Sequence, residues 1–503
     1  MNYLLNAEQM KAADHYTITQ LCVPSSVLME RAAQACVDYI EENDWDTSRV
    51  CIVSGSGNNG GDGFAIGRIL LSKGADVTMV FAGRMESRTE ETVCQMELFE
   101  KAGGVIRDVY FCQEYSVVID ALFGVGLSRE ITGRYLEMLE LMNASPGRKL
   151  AVDIPSGVSA STGEVLGCAF RADATVTFQE YKLGLMVYPG CEYAGEVTAA
   201  DIGIDSSAVT KEWKITYTID IEDAKKMLPE RREDSNKGSF GRILLIAGCK
   251  GMAGAAYLCA YAAYLTGAGL VQIYTVEDNR AILQQLIPEA IITAYEDYND
   301  GELREKLSWA DVVCIGPGLG TSELSKNILN FVLNHVKVPC IIDADGLNIL
   351  AADRNMMEQL KGGDYVLTPH MKELSRLTNQ PMDYLKKNRI SVMNRFTEQY
   401  GVTLIQKDAR TFVGGTRKPT YVNRSGNAAM AKAGSGDVLS GVIAALIAQG
   451  KNGYEAAVLG VYLHGLAGDA ARDELGRYSV LARDLAGHIA SAIRTIENGR
   501  TEY

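Results

Sequence analysis

The sequence predicts an α/β protein of two domains, each a mainly parallel sheet covered by helices on both faces. Apolar runs of strand length alternate with helix-spaced segments along most of the chain. Many of those runs end in glycine-rich loops, where sheets of this kind gather their chemistry. The alternation breaks around residues 205–238 and then restarts. A chain of 503 residues is long for one domain, and 47% hydrophobic against 22% charged residues is enough to bury a large core.

The elements follow in order. "RVCIVSG" is an apolar strand ending in glycine, and "FAIGRILLSKG" has helical spacing. "ADVTMVFAG" is the next strand, and "ETVCQMELFEKAGG" is a helix closed by glycine. "YSVVIDALFGVG" and "KLAVDIPSG" are strands entering loops, and "ADATVTFQEYKLGL" continues the series. The polar runs "DSSAVTKEWK" and "LPERREDSNKGSFG" then interrupt the pattern, so we expect domains at 1–216 and 222–503. "GRILLIAG" opens the second series, followed by "DVVCIGPGLG", "VPCIIDADGLNIL", "GDYVLTPHMKEL" and "GVTLIQKDARTFV". Residues 252–274 carry no charge and are long enough to span a bilayer, but "TGAGLVQIY" reads as a turn into a strand. A buried helix followed by a strand is the expected structure.

Composition excludes some partners. A net charge of -14 does not suit phosphate-backbone binding, so no nucleic-acid partner is expected. No membrane partner is expected either. Small phosphorylated ligands remain compatible, because backbone amides at helix N-termini bind them without net positive charge. The 11 cysteines show no C-x-x-C spacing, and the N-terminus has no apolar signal core. Reduced thiols and a cytoplasmic location are the expectation.

The loop "GSGNNGGDG" lies between strand and helix, with Gly55, Gly57 and Gly60 in G-x-G-x-x-G spacing. Alone this is a weak dinucleotide signal. Asn58, Asn59 and Asp62 add neutral and charged oxygens, and Asp120 and Ser156 stand at other strand ends. Such an oxygen cluster suits a hard cation. Asp153, at the end of a strand, is either a general base or a turn-forming residue.

In order, "NAEQM", "LMERAA", "GSGNNGGDGF", "DALFGVGL" and "VDIPSG" resemble the NAD(P)H-hydrate epimerase domain of the YjeF N-terminal type. The resemblance implies a Rossmann-like three-layer domain that interconverts the epimers of hydrated NADH and NADPH. It implies potassium at Asn59, Asp120 and Ser156. It further implies substrate contacts from Asn58, Asn59, Gly60, Gly61 and Asp62, from Gly124, Val125, Gly126, Leu127, Ser128, Arg129 and Glu130, and from Asp153 as the base. Val125 stands where a threonine is more usual.

In the second domain, "AKAGSGDVLSG" places Asp437 directly after Gly434, Ser435 and Gly436 and ahead of an apolar helical run. Amides at a helix start form an anion hole, as phosphoryl transfer requires. A carboxylate in the first turn either deprotonates the attacking hydroxyl beside that hole or merely interacts with the helix dipole. Lys407, Arg410 and Thr411 follow a strand and suit nucleotide phosphates, or form a solvated turn. Asp343, Asp345 and His370 stand at further strand ends.

"GCKGMAGAAYLCAYAAYLTGAGLV", "IGPGLG", "DADGLNIL", "LTPH" and "NRSGNAAMAKAGSGDVLSG" resemble the ribokinase-like α/β superfamily, and within it the ADP-dependent NAD(P)H-hydrate dehydratases. The resemblance implies Asp437 as catalytic residue, and Ala255, Gly318 and His370 as contacts to the hydrated dinucleotide. It implies nucleotide contacts from Lys407, Asp408, Ala409, Arg410, Thr411 and Gly436, with Asp408 standing where glycine is common. ADP is the expected co-substrate, with magnesium from the chemistry of phosphoryl transfer. The two resemblances together imply a repair enzyme that epimerises R and S hydrates and dehydrates the S form, releasing AMP and phosphate. A homo-oligomer is expected. The alternative is a ribokinase-like vitamin or sugar kinase fused to a binding domain.

Overall fold

A computed structural model describes residues 1–111, 114–212 and 214–499. The chain divides into two compact units, one from Asn2 to Thr216 and the other from Tyr217 onward.

In the first unit, strands run in the order 106–107, 77–81, 50–54, 117–121, 148–152, 174–178 and 196–200, each parallel to its neighbours. Side chains alternate between the sheet's two faces, as the strand period requires. Val50, Ile52, Val117 and Ile119 join a core with helices Ser25–Glu42 and Asn58–Ser72. Cys51, Val53 and Val118 join a second core with helix Arg134–Ala144. Two cores on one sheet make a three-layer Rossmann-like unit. The chain leaves strand 50–54 in one direction and returns on its other side at 117–121, which places the topological switch between them. Ligands of open parallel sheets bind at that point.

Helix 58–72 contains Gly60, Gly61 and Gly63, each costing roughly 1 kcal/mol against alanine in a helix. Close approach explains two of them. A Cβ on Gly60 would stand 2.0 Å from the Gly55 carbonyl oxygen, and one on Gly63 would stand 2.4 Å from Ser54 Oγ.

The second unit centres on parallel strands in the order 291–295, 270–276, 242–246, 312–315, 340–342, 365–367 and 403–406. Strands 412–414 and 420–422 extend this sheet in antiparallel fashion. The uncharged stretch forms helix Ala253–Leu265 and strand Leu270–Val276. Among the described residues, no helix is long and apolar enough to cross a membrane. Helix 253–265 packs on helix Ser435–Ala448 so closely that a Cβ on Gly441 would meet the Cys259 carbonyl oxygen at 2.1 Å. The loops after strands 242–246, 312–315, 340–342, 365–367 and 403–406 all open at the carboxyl end of the sheet.

Candidate active sites

In the first unit, a cavity of about 680 Å³ opens at the switch point. Its wall includes Asn58, Asn59 and Asp62, the segment Gly124–Arg129, and Asp153. Gly60 and Gly61 are buried in the helix behind this wall, and Glu130 faces a neighbouring cavity.

Asp153 is 7% exposed and has φ +67°, a left-handed backbone that costs a non-glycine residue about 1 kcal/mol or more. Its Oδ1 accepts from the Phe178 N–H at 3.2 Å and faces Lys182 Nζ at 2.6 Å. Lys182 is 1% exposed and also donates to the Phe178 carbonyl at 2.6 Å. Asp153 and its buried partner Lys182 both line the cavity. Asp62, also lining the cavity, is pushed well above the ordinary carboxyl range by burial, then by Asp153 and Asp14. The cavity therefore holds one carboxyl paired with a buried ammonium and a second that burial pushes upward.

Beside this pair, Ser156 Oγ donates to Asp120 Oδ1 at 2.7 Å, and the Ser156 N–H donates to Asp120 Oδ2 at 2.7 Å. Ser156 Oγ also lies 3.3 Å from the Phe123 carbonyl oxygen. Burial raises the Asp120 carboxyl to about 6, opposed by the Ser156 and Leu122 hydrogen bonds. Asn59 packs against Gly124, and its buried Nδ2 has no hydrogen-bond partner among the described residues. One carboxylate among hydroxyl, amide and carbonyl oxygens fits a monovalent cation better than a divalent one. Among the described residues, no group of three or more His, Cys, Asp or Glu side chains could hold a metal ion.

In the second unit, Gly434 has φ +93° and caps helix 435–448, whose first turn holds Asp437. Asp437 makes no hydrogen bond or ion pair among the described residues. Burial, then Asp343, raises its carboxyl to about 7, with Lys407 opposing and Asp345 adding to the rise. Lys407 Nζ stands 3.1 Å from where a Cβ on Gly436 would lie, so the ammonium closes the mouth of the helix start. That ammonium is paired with Asp343 Oδ1 at 2.8 Å, and Ser440 donates to Asp343 Oδ2 at 2.7 Å. Burial works against the charge of Asp343, but Lys407 and the Thr368 and Ser440 hydroxyls hold it below its ordinary range. His464 is held neutral near 4, chiefly by burial, and its Nε2 donates to the Ser435 carbonyl at 3.0 Å.

The remaining residues border this centre unevenly. Gly318 has φ +59°, and a Cβ there would stand 2.9 Å from Ala255 Cβ, so these two contacts lie together. The backbone of His370 pairs with Lys407, and its Nδ1 caps helix Met371–Thr378 by accepting from Glu373 N–H at 3.2 Å. Asp408, Ala409, Arg410 and Thr411 form the turn between strands 403–406 and 412–414. There Asp408 pairs with Arg389, Arg410 donates to the Arg424 carbonyl at 2.7 Å, and Thr411 donates to the Asp408 carbonyl at 3.3 Å.

Sequence reasoning missed Lys182 and the buried partners of Asp343. Lys182 sits in "EYKLGL" with nothing in its spacing to mark it, and only the fold brings it to Asp153.

The fold and these two centres define a two-part enzyme, with a Rossmann-like pocket in one unit and a ribokinase-like phosphoryl-transfer centre in the other. Residues 25–184 match the YjeF-related protein N-terminus, and residues 243–491 match the NAD(P)H-hydrate dehydratase family. The bifunctional NAD(P)H-hydrate repair enzyme of Moorella thermoacetica is 34% identical over 98% of this chain and 97% of its own length. That of Escherichia coli is 35% identical over 91% of this chain and 87% of its own. A ribokinase-like superfamily protein of Enterococcus faecalis superposes with a TM-score of 0.51 at 28% identity, covering 56% of this chain and 96% of that one. The chain belongs to the family of bifunctional NAD(P)H-hydrate repair enzymes.

Proposed function

We propose that the first unit epimerises R and S hydrates of NADH and NADPH, and that the second dehydrates the S hydrate at the expense of ADP. The observation that carries this is Asp437: an unpaired carboxyl raised to about 7, in the first turn of a glycine-opened helix beside a buried lysine. A base poised near neutral pH is matched to deprotonating a hydroxyl. Asp437 takes the proton from the hydroxyl on the hydrated ring as that oxygen attacks the terminal phosphorus of ADP. The bond to the bridging oxygen breaks and AMP leaves. Lys407 and the amides of Gly434–Gly436 neutralise the charge on the transferred group. Loss of phosphate and a ring proton then restores the dihydronicotinamide.

Asp408–Thr411 follow Lys407 and border the nucleotide, while Ala255, Gly318 and His370 border the dinucleotide. Magnesium, when bound, neutralises the nucleotide phosphates.

In the first unit, Asp153 removes and returns the proton that epimerisation requires, steadied by Lys182. Asn59, Asp120 and Ser156 would hold potassium, which supplies positive charge beside the Gly124–Glu130 loop. The described cysteines are free, in keeping with a reducing cytoplasmic setting.

The test is the stoichiometry of the reaction. With S-hydrated NADH, ADP and magnesium, one AMP and one phosphate should appear per NADH formed. A stable phosphorylated product from some other hydroxyl compound, without NADH, would establish the kinase instead.

A further inference from the structure

A second cavity, of about 430 Å³, adjoins the epimerase cavity and shares Phe123, Leu127 and Arg129 with it. Three arginines line it, Arg84, Arg129 and Arg134, against a single carboxylate, Glu130. In a protein of net charge -14 this is a local excess of positive charge. Arg134 is oriented by donating to the Asp108 carbonyl. The guanidinium groups of Arg84 and Arg129 have no hydrogen-bond or ion-pair partner among the described residues, so they are available to a ligand.

The position of Arg84 adds an independent argument. Strand 50–54 leads through Gly55, Gly57 and Gly60 into helix 58–72 and on to the neighbouring strand 77–81. In dinucleotide folds with this strand–glycine loop–helix–strand order, the end of the second strand meets the adenosine ribose. An acidic residue there binds the 2′-hydroxyl, and an arginine accommodates a 2′-phosphate. Here the strand runs into Ala82, Gly83 and Arg84, with no acid at that point. The loop is pressed onto the glycine loop: Ala82 N–H donates to the Ser54 carbonyl at 3.0 Å, and Thr89 N–H donates to the Ser56 carbonyl at 3.0 Å. A Cβ on Gly83 would stand 2.7 Å from the Ser56 nitrogen, so glycine is required just before Arg84.

We propose that Arg84, with Arg129 and Arg134, forms a subsite for the 2′-phosphate of hydrated NADPH and makes the epimerase prefer it to hydrated NADH. This rests on the epimerase reading of the first unit. The hydrated ring lies by Asp153 in the larger cavity, and the phosphorylated ribose lies among the arginines in the smaller one. A guanidinium–phosphate pair is charge-assisted and often bidentate, so its loss affects only the substrate that carries the phosphate.

The experiment measures kcat/KM for R-to-S conversion of hydrated NADPH and hydrated NADH on the full-length chain. ADP is omitted so that the dehydratase is silent, and the epimers are separated by chromatography. Arg84→Ala should lower kcat/KM for hydrated NADPH by about tenfold or more, the scale of one hydrogen bond to a charged group. For hydrated NADH the value should stay within about twofold of wild type. Arg84→Asp should reverse the preference, because an acid at this position can accept from the free 2′-hydroxyl. An equal loss on both substrates, or a wild-type enzyme that does not prefer hydrated NADPH, overturns the subsite while leaving the epimerase standing. Turnover of neither substrate by wild type overturns the epimerase reading, and the subsite with it.

Discussion

Two aspartates at strand or helix ends are the bases proposed for the two units, and their surroundings are opposite. Asp153 is buried against its own buried cation, with Lys182 at 2.6 Å. Asp437 has no such partner, because the nearest ammonium, Lys407, is committed to Asp343 at 2.8 Å. The first arrangement sets the carboxylate of the proposed epimerisation base against a buried ammonium. The second leaves a carboxyl near 7, able to take up a proton during phosphoryl transfer. The same residue type thus stands in two different surroundings, set by where the neighbouring lysine is spent.

Removing either carboxylate should break the comparison most sharply. Asp437→Asn should lower dehydration by about a hundredfold to ten-thousandfold while leaving epimerisation unchanged. Asp153→Asn should do the reverse, read by chromatographic separation of epimers and by NADH formation from pure S hydrate. Next comes the cation behind Asp153. Lys182→Met leaves a buried carboxylate unpaired and should destabilise the first unit by about 3–5 kcal/mol, measured by denaturant unfolding.

A smaller effect sharpens the account of Asp437. The base must be ionised, so kcat/KM for dehydration should fall as pH drops through about 7. Asp343 raises that value, so Asp343→Asn removes a negative neighbour and should move the acid limb to lower pH. A limb that stays in place would separate Asp437 from Asp343.

The smallest effect concerns potassium. Asp120 titrates near 6, so the potassium concentration needed for half-maximal epimerisation should rise as pH falls through 6 and the carboxyl is protonated. Ser156→Ala should raise it as well.

Much of this was legible in the chain. The glycine loops, Asp153, Asp437 and the strands that carry them are local patterns, and continuous apolar runs ending in glycine located the central strands. The uncharged 252–274 stretch resolved as helix and strand because "TGAG" supplies a turn. The amino-terminal helix Ala7–Thr19 was harder to see, because its buried positions include Gln9 and Thr17 and give no clean apolar stripe. The pairings of Lys182 with Asp153 and of Lys407 with Asp343 could not be read at all. They join residues 29 and 64 positions apart, and nothing local distinguishes a buried lysine from a solvated one. Burial decides that, and burial is a property of the fold.

The central claim is that two separate centres, each with its own aspartate, act in series. The direct measurement is recovery of dihydronicotinamide absorbance from mixed-epimer hydrated NADH with ADP, magnesium and potassium. Wild type should recover all of it, Asp153→Asn should stop at the S fraction, and Asp437→Asn should recover none. An equal mixture of the two variants should recover everything. Full recovery by Asp153→Asn at the wild-type rate, or a mixture that stops at the S fraction, would contradict the account.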